Sequence, residues 1–387
     1  MERFIIDLSI LMVGAAIFSF LSVLLRQPII IGYIVCGIIL GPLGIGLIKH
    51  AEFIETISHI GITLLLFLAG LCLHPQKLLR SFRETAVVTL SNCAASFFIA
   101  FLLAKLFHFN MLDSLCIGLA LMFSSTILAV KLLPTTTLHQ KRMGAICISV
   151  LILEDLLAVL VLVFIRCLGS SQGTLFSFGI LLVKLVAFIA FLFFIEQLVL
   201  RKIMLKVERL QEVLFVLGLA WCFGIATISN RMGLFYETGA FFAGVVIARH
   251  PVSLFISEKL KPLRDFFLVL FFFALGAKLE LWVIKEIFWE VLIFSLVFLL
   301  FKPWMFRKFF LLMGEQSHFA KEIGIRLGQL SEFSLLVALL AFSLGNITHK
   351  ASQLIQLTAI LTFIVSSYIV VLKYPTPIGT TEKLRKD

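Results

Sequence analysis

Charge is what this sequence has least of: 14% of its 387 residues are charged, while 61% are hydrophobic. A chain of this length cannot clothe a water-facing surface with so few ionic groups. A soluble globular fold is excluded, and an integral membrane protein is indicated. Trp and Tyr are scarce, at 4 each beside 41 Phe, so any aromatic belt at the membrane interface is weak. There is no CxxC and no HExxH. The cysteines at 36, 72, 93, 116, 147, 167 and 222 fall in or beside apolar runs, so they read as buried free thiols rather than as metal ligands or a disulfide framework. Glycine-rich stretches show no phosphate-loop pattern. The net charge of +11 is scattered between apolar segments rather than gathered on one soluble stretch, which argues against a nucleic-acid partner. The N-terminus lacks a small-residue cleavage site before Arg26-Gln27-Pro28 and is read as a first span rather than a signal peptide.

What is present is a series of apolar runs, each near the length of about 20 residues that crosses a bilayer. They fall at about 5–25, 28–48, 59–73, 86–107, 111–133, 143–165, 174–199, 211–229, 234–248, 262–279, 282–306, 322–345 and 352–372, about thirteen spans. The linkers are short and leave no room for a soluble domain. Lys and Arg fall roughly eight on one side and about twenty-two on the other, including Lys141-Arg142, Arg201-Lys202-Lys206-Arg209 and Lys383-Arg385-Lys386. That bias supports an odd span count in a cell membrane, inner or plasma, with the N-terminus outside and the C-terminus in the cytoplasm.

Few ionic residues enter the spans, and those that do carry the argument. Glu154 and Asp155 are adjacent in the middle of the run that begins at Ile148. Each ionised acid costs about 2.5–3.5 kcal/mol at a helix centre on insertion scales. Neighbouring carboxylates also repel, so a cationic partner is expected. Lys302, in Phe301-Lys302-Pro303-Trp304, is the natural candidate: the proline frees a backbone carbonyl and bends its helix. Two spans carry polar breaks, Ser124-Ser125-Thr126 in the fifth and Arg326-Leu327-Gly328-Gln329-Leu330-Ser331-Glu332 in the twelfth. Side-chain hydrogen bonds there compete with the helix, so both are expected to be discontinuous. With the seventh span as a linker, these are corresponding members of two inverted six-span halves, the sequence pattern of a transporter site.

Other charges have two readings each. Glu332 could ligand a cation or pair with Lys131 or Arg326. Glu237 could line the extracellular entrance or sit at the interface. Asp7 is expected to be solvated or capping, Arg264 and Asp265 to pair, and Lys184 to snorkel or contact a neighbouring helix.

The ordered motifs resemble those of the monovalent cation:proton antiporter-2 family, which includes sodium/proton and potassium-efflux antiporters. They are the run Gly32–Pro42, then Leu65–Leu71, Ser124-Ser125-Thr126, Glu154-Asp155, Gly239–Gly244, Phe271–Gly276 and Gln329–Phe333. The resemblance covers roughly residues 5–372 and implies an all-α integral membrane protein of about 13 transmembrane helices. In that fold two inverted six-helix repeats cross through discontinuous helices, the sodium/proton antiporter fold. It implies a transmembrane domain at 1–373, with core and dimerisation subdomains interleaved, and a short cytoplasmic tail at 374–387. It also implies a homodimer in membrane lipid. Asp155 matches the family's shared cation and proton carrier, and Lys302 matches the lysine that pairs with the first acid in electrogenic members. The sequence departs at Glu154, where the family usually has Asp, Asn or Gln, at Cys72, where it has Glu, and at Ser331, where it has Gly. The family's nucleotide-binding regulatory domain has no counterpart in these residues.

The expected function is exchange of Na+ or K+ for H+, with no cofactor and no enzymatic chemistry. Asp155, Glu154, Ser125 and Thr126 are the expected ion and proton ligands and Lys302 the charge partner, with Ser124, Gln329, Glu332, Arg326 and Lys131 in support. A channel-like or sensory protein of the same fold is the alternative. An intramembrane enzyme would need a metal-ligand or nucleophile–base set that these residues do not provide.

Overall fold

The computed structural model describes residues 2–376, apart from 26, 43, 49–50, 72–74, 134–137, 169–173, 208–209, 251 and 281. Cys72, the side chain of Lys131 and the tail at 377–387 therefore lie outside the described residues. In chain order the helices are α1 (Glu2–Leu24), α2 (Ile29–Leu40), α3 (Ala51–Leu71), α4 (Pro75–Leu106), α5 (Met111–Leu121), α6 (Thr126–Lys131), α7 (Leu138–Cys167) and α8 (Thr174–Ile195). A π-helical turn, Glu196–Leu200, joins α8 to α9 (Arg201–Val207). There follow α10 (Gln211–Arg231), α11 (Tyr236–Ile247), α12 (Val252–Ala277), α13 (Ile284–Leu312), α14 (Ser317–Arg326), α15 (Glu332–Ser343) and α16 (His349–Lys373).

Each apolar segment of the sequence maps onto one helix, except the fifth and twelfth. Those two are split into α5 with α6 and α14 with α15. Among the described residues, 6 helices are long and apolar enough to cross a membrane by length and composition alone, and shorter apolar helices accompany them. Large apolar side chains such as Phe98, Val183, Phe194 and Leu300 stand on exposed faces, as lipid-facing positions require. The chain is a multi-pass membrane protein.

Two compact units are interleaved along the chain. One takes the segments up to Phe18, Tyr33–Leu79 and Leu162–Lys278; the other takes Ser19–Gly32, Arg80–Val161 and the chain from Leu279 on.

In the first unit, lipid tails are as apolar as the side chains, so helices associate by close packing rather than by the hydrophobic effect. Glycines supply the approach. A Cβ on Gly70 of α3 would lie 2.1 Å from the Phe241 carbonyl oxygen on α11, and one on Gly244 of α11 would lie 2.1 Å from that of Phe67 on α3. The same reciprocity joins α2 to α12: Gly37 faces the Phe273 carbonyl and Gly276 that of Ile34, each at 2.1 Å. In the two inverted halves, α2 and α3 correspond to α11 and α12, so the pairs are one contact used twice. Gly244→Val is expected to lower thermal stability sharply, because backbone meets backbone and neither can yield. Gly224→Val, where nothing lies within 4 Å, should be close to neutral. Fluorescence-detected size-exclusion melting compares the two.

In the second unit, Cys147, Val150 and Leu151 of α7 pack on Phe306 and Phe310 of α13 and on Phe319 and Ile323 of α14. Pro303 of α13 fits against Gly324 of α14 and Gly328 in the break that follows it. A Cβ on Gly324 would lie 2.5 Å from the Pro303 carbonyl oxygen, and one on Gly328 would lie 2.6 Å from the proline ring. This close fit seats the break after α14 beside Lys302.

The six described cysteines are buried and free. Arg264 and Asp265 pair at 2.8 Å, and the Lys184 ammonium donates to the Met232 carbonyl at 3.4 Å. The solvated position expected for Asp7 is corrected: it is 5% exposed, on the inner face of α1. Glu237 is likewise buried, with His59 3.7 Å away.

Candidate ion and proton site

Every backbone group freed in the middle of a membrane needs a partner. In the second unit the two helix breaks find theirs locally and in each other. The Ser125 hydroxyl accepts the Leu128 amide at 3.1 Å and so opens α6. The Ser331 hydroxyl accepts the Phe333 amide at 3.0 Å, and the Ser334 hydroxyl accepts the Ser331 amide at 3.4 Å, forming a capping box on α15. Ser334 then donates to the Ala120 carbonyl at the end of α5, at 2.6 Å. The Gln329 amide donates to the Ser125 carbonyl at 3.5 Å and accepts the Ser366 hydroxyl at 3.2 Å. These bonds cross-link the two broken spans where their helices end.

α7 runs unbroken past the crossing and carries both acids, buried at 1% (Glu154) and 4% (Asp155) exposure. Adjacent helical positions point about 100° apart, and the two acids meet different partners. Glu154 accepts the Ser124 amide at 2.5 Å on Oε2, and the Ser124 hydroxyl at 3.4 Å and the Cys93 thiol at 3.9 Å on Oε1. Lys302, wholly buried, donates to the Phe123 carbonyl at 2.6 Å. The Phe123 carbonyl and the Ser124 amide are the two ends of one peptide group. Lysine and glutamate are therefore joined through a peptide dipole, oxygen toward the ammonium and N–H toward the carboxylate. Such a peptide is accessible only because residues 122–125 are not helical, and each charge lowers the cost of burying the other.

Asp155 is held differently. The Thr126 hydroxyl, at the start of α6, donates to its Oδ1 at 3.1 Å. The Asp155 carboxylate and the Thr126 hydroxyl together present oxygen donors, the donor type that hard cations take.

Of the two partners weighed for Glu332, Arg326 is engaged elsewhere, and the side chain of Lys131 lies outside the described residues. Arg326 donates through Nε at 2.9 Å and Nη2 at 2.8 Å to Glu322, one turn back on α14. Its other bonds go to the Leu132 carbonyl at the end of α6 (2.8 Å) and the Pro375 carbonyl (2.9 Å). It closes α6 rather than neutralising the acids. Two roles had escaped notice in the sequence. Cys93 as a donor to Glu154 carries no local signal. Asp113 accepts both the amide and the hydroxyl of Thr348 at 2.8 Å, tying the start of α5 to α16; its Asn110-x-x-Asp113 capping pattern was visible.

Crossed broken helices beside a buried acid pair define a class of secondary transporter. The comparisons agree: the family model "Sodium/hydrogen exchanger, transmembrane" matches residues 8–372, and the chain belongs to that family. Its motifs place it with the monovalent cation:proton antiporter-2 group. It is 26% identical to the iron transporter MagA of Paramagnetospirillum magneticum, covering 89% of this chain and 80% of that protein. It is 27% identical to K(+) efflux antiporter 6 of Arabidopsis thaliana, covering 98% of this chain and 67% of that one. The solved sodium proton antiporter MjNhaP1 from Methanocaldococcus jannaschii shares its fold, with a TM-score of 0.73 at 16% identity over 96% of this chain and 99% of that one.

Proposed function

We propose that the protein exchanges a monovalent cation, Na+ or K+, for H+ by alternating access, with Asp155 carrying cation and proton in turn. The observation that carries this reading is the division of labour on α7. Glu154 accepts the Ser124 amide, the Ser124 hydroxyl and the Cys93 thiol, whereas Asp155 takes one hydroxyl, from Thr126. Asp155 is the acid left to exchange its ligand. Thr126, with Ser125 and Glu332 in support, completes an oxygen cage that a cation or a proton can occupy, but not both. The bare, charged site is penalised in the membrane interior, so crossing is confined to loaded or protonated states.

The unit that holds these residues acts as the transport core, and the other as the dimerisation unit of a homodimer. The Lys and Arg bias supports an extracellular N-terminus and a cytoplasmic C-terminus in the cell membrane.

Competition sets the test. Lowering the pH protonates Asp155, so the cation concentration giving half-maximal exchange should rise as pH falls, with a limiting slope of about tenfold per pH unit for one proton. Titrating reconstituted vesicles with sodium, potassium and lithium at several pH values measures it. A half-saturating concentration independent of pH for all three cations would contradict a shared site.

A further inference from the structure

Of the buried polar side chains in the unit that holds Glu154 with no protein partner among the described residues, which include Thr358 and Thr376, three lie on α4 and α13. They are Asn92, at both heteroatoms of its amide, and the hydroxyls of Ser96 and Ser295. Asn92 and Ser96 are 0% exposed and Ser295 is 2% exposed. Such a group is costly to bury if left unsatisfied. Buried polar groups that the chain does not satisfy are ordinarily met by ordered water, and an amide beside a hydroxyl gives water several partners.

Their placement gives them a function. On α4, Ser96 lies one turn from Cys93, whose thiol reaches Glu154, and Asn92 and Ser96 are neighbours at i, i+4 on the buried face. On α13, Ser295 shares the buried face with Lys302 and lies about 10 Å along the helix from it. Phe107, just past α4, packs on Phe294 of α13 with ring centroids 6.1 Å apart. Ser96 is displaced from Cys93 toward that aromatic contact, and Ser295 is next to it. The unsatisfied groups thus run from the Glu154–Lys302 pair toward the Phe107–Phe294 contact. Asp155 takes its hydrogen bond from α6 instead.

We propose that α4 and α13 enclose ordered water against the Glu154–Lys302 pair, and that this water exchanges protons with Glu154 along a route separate from Asp155. The route rests on the antiport reading; the enclosed water does not.

Radiolytic hydroxyl-radical footprinting on the full chain reads the water directly, because the radicals form from water at the site. Cys93 reports it, and Cys116 and Cys147, each 0% exposed, are buried reference thiols. Cys93 is expected to oxidise several-fold faster than Cys147, and Asn92→Leu should bring it down to the Cys147 rate. The same footprint in Asp155→Asn keeps this result apart from the fate of the antiport reading. Cys93 oxidation no faster than that of Cys147 overturns the compartment. In reconstituted vesicles, Asn92→Leu with Ser96→Ala should slow proton-coupled exchange several-fold without moving the half-saturating cation concentration, and Asn92→Ser should retain most of the rate. Should Asn92→Leu not fold, Ser96→Ala with Ser295→Ala replaces it. An unchanged rate in folded variants overturns the proton route.

Discussion

Asp155→Asn is expected to reduce isotopic cation exchange to background, while Asp155→Glu retains a measurable fraction. Asparagine has nearly the same shape and its carbonyl can still accept the Thr126 hydroxyl, so the local geometry survives. What disappears is the capacity to take up and release a proton, together with the negative charge that holds a cation. Because the substitution removes a charge buried at 4% exposure, the variant should melt at or above the parent temperature. Loss of transport with intact folding is thus the expected pair of results. Retained exchange in a folded Asp155→Asn protein would remove Asp155 from the carrier role.

The second large effect is one of stability. Lys302→Met leaves Glu154 a buried carboxylate without compensation, and breaking a buried pair from one side costs about 3–5 kcal/mol. Glu154→Gln strands the ammonium of Lys302 in the same way. Making both changes together removes both charges, while the Gln oxygen can still accept the Ser124 amide, so the double variant should recover most of the lost stability. Melting temperatures of the four proteins form a double-mutant cycle with strong coupling. Additive losses would contradict a pair joined through the Phe123–Ser124 peptide.

The fold was largely legible in the sequence because a bilayer imposes so few options. Apolar length marks the spans, and hydroxyl and glycine residues inside two of them mark the breaks. Ser331 and Ser334 cap α15 for the same reason that serine caps soluble helices. The acids and Lys302 were legible as costs that needed a partner. What was not legible is how the partners meet. The sequence pointed to direct Lys302–Glu154 pairing, but the link runs through a peptide group that exists in that orientation only once residues 122–125 leave the helix. Cys93 was hidden because a thiol in an apolar run is ordinary, and only three-dimensional proximity to Glu154 gives it a role. Arg326 shows a different failure. Glu332 was weighed with Lys131 or Arg326 as partners, whereas Arg326 is taken by its i−4 neighbour Glu322 on the same helix. Of the two readings of Asp7, solvated or capping, its burial removes the first, since nearness to the end of a span says little about exposure.

The most direct test of shared carriage at Asp155 is proton movement driven by a cation alone. Vesicles holding the parent protein or Asp155→Asn, with equal pH on both sides and the voltage clamped, receive a pulse of sodium, potassium or lithium while a trapped dye reports internal pH. A pH change in the parent and none in Asp155→Asn is the predicted result. A parent protein that moves the cation without moving protons, or an Asp155→Asn protein that still moves both, would contradict it.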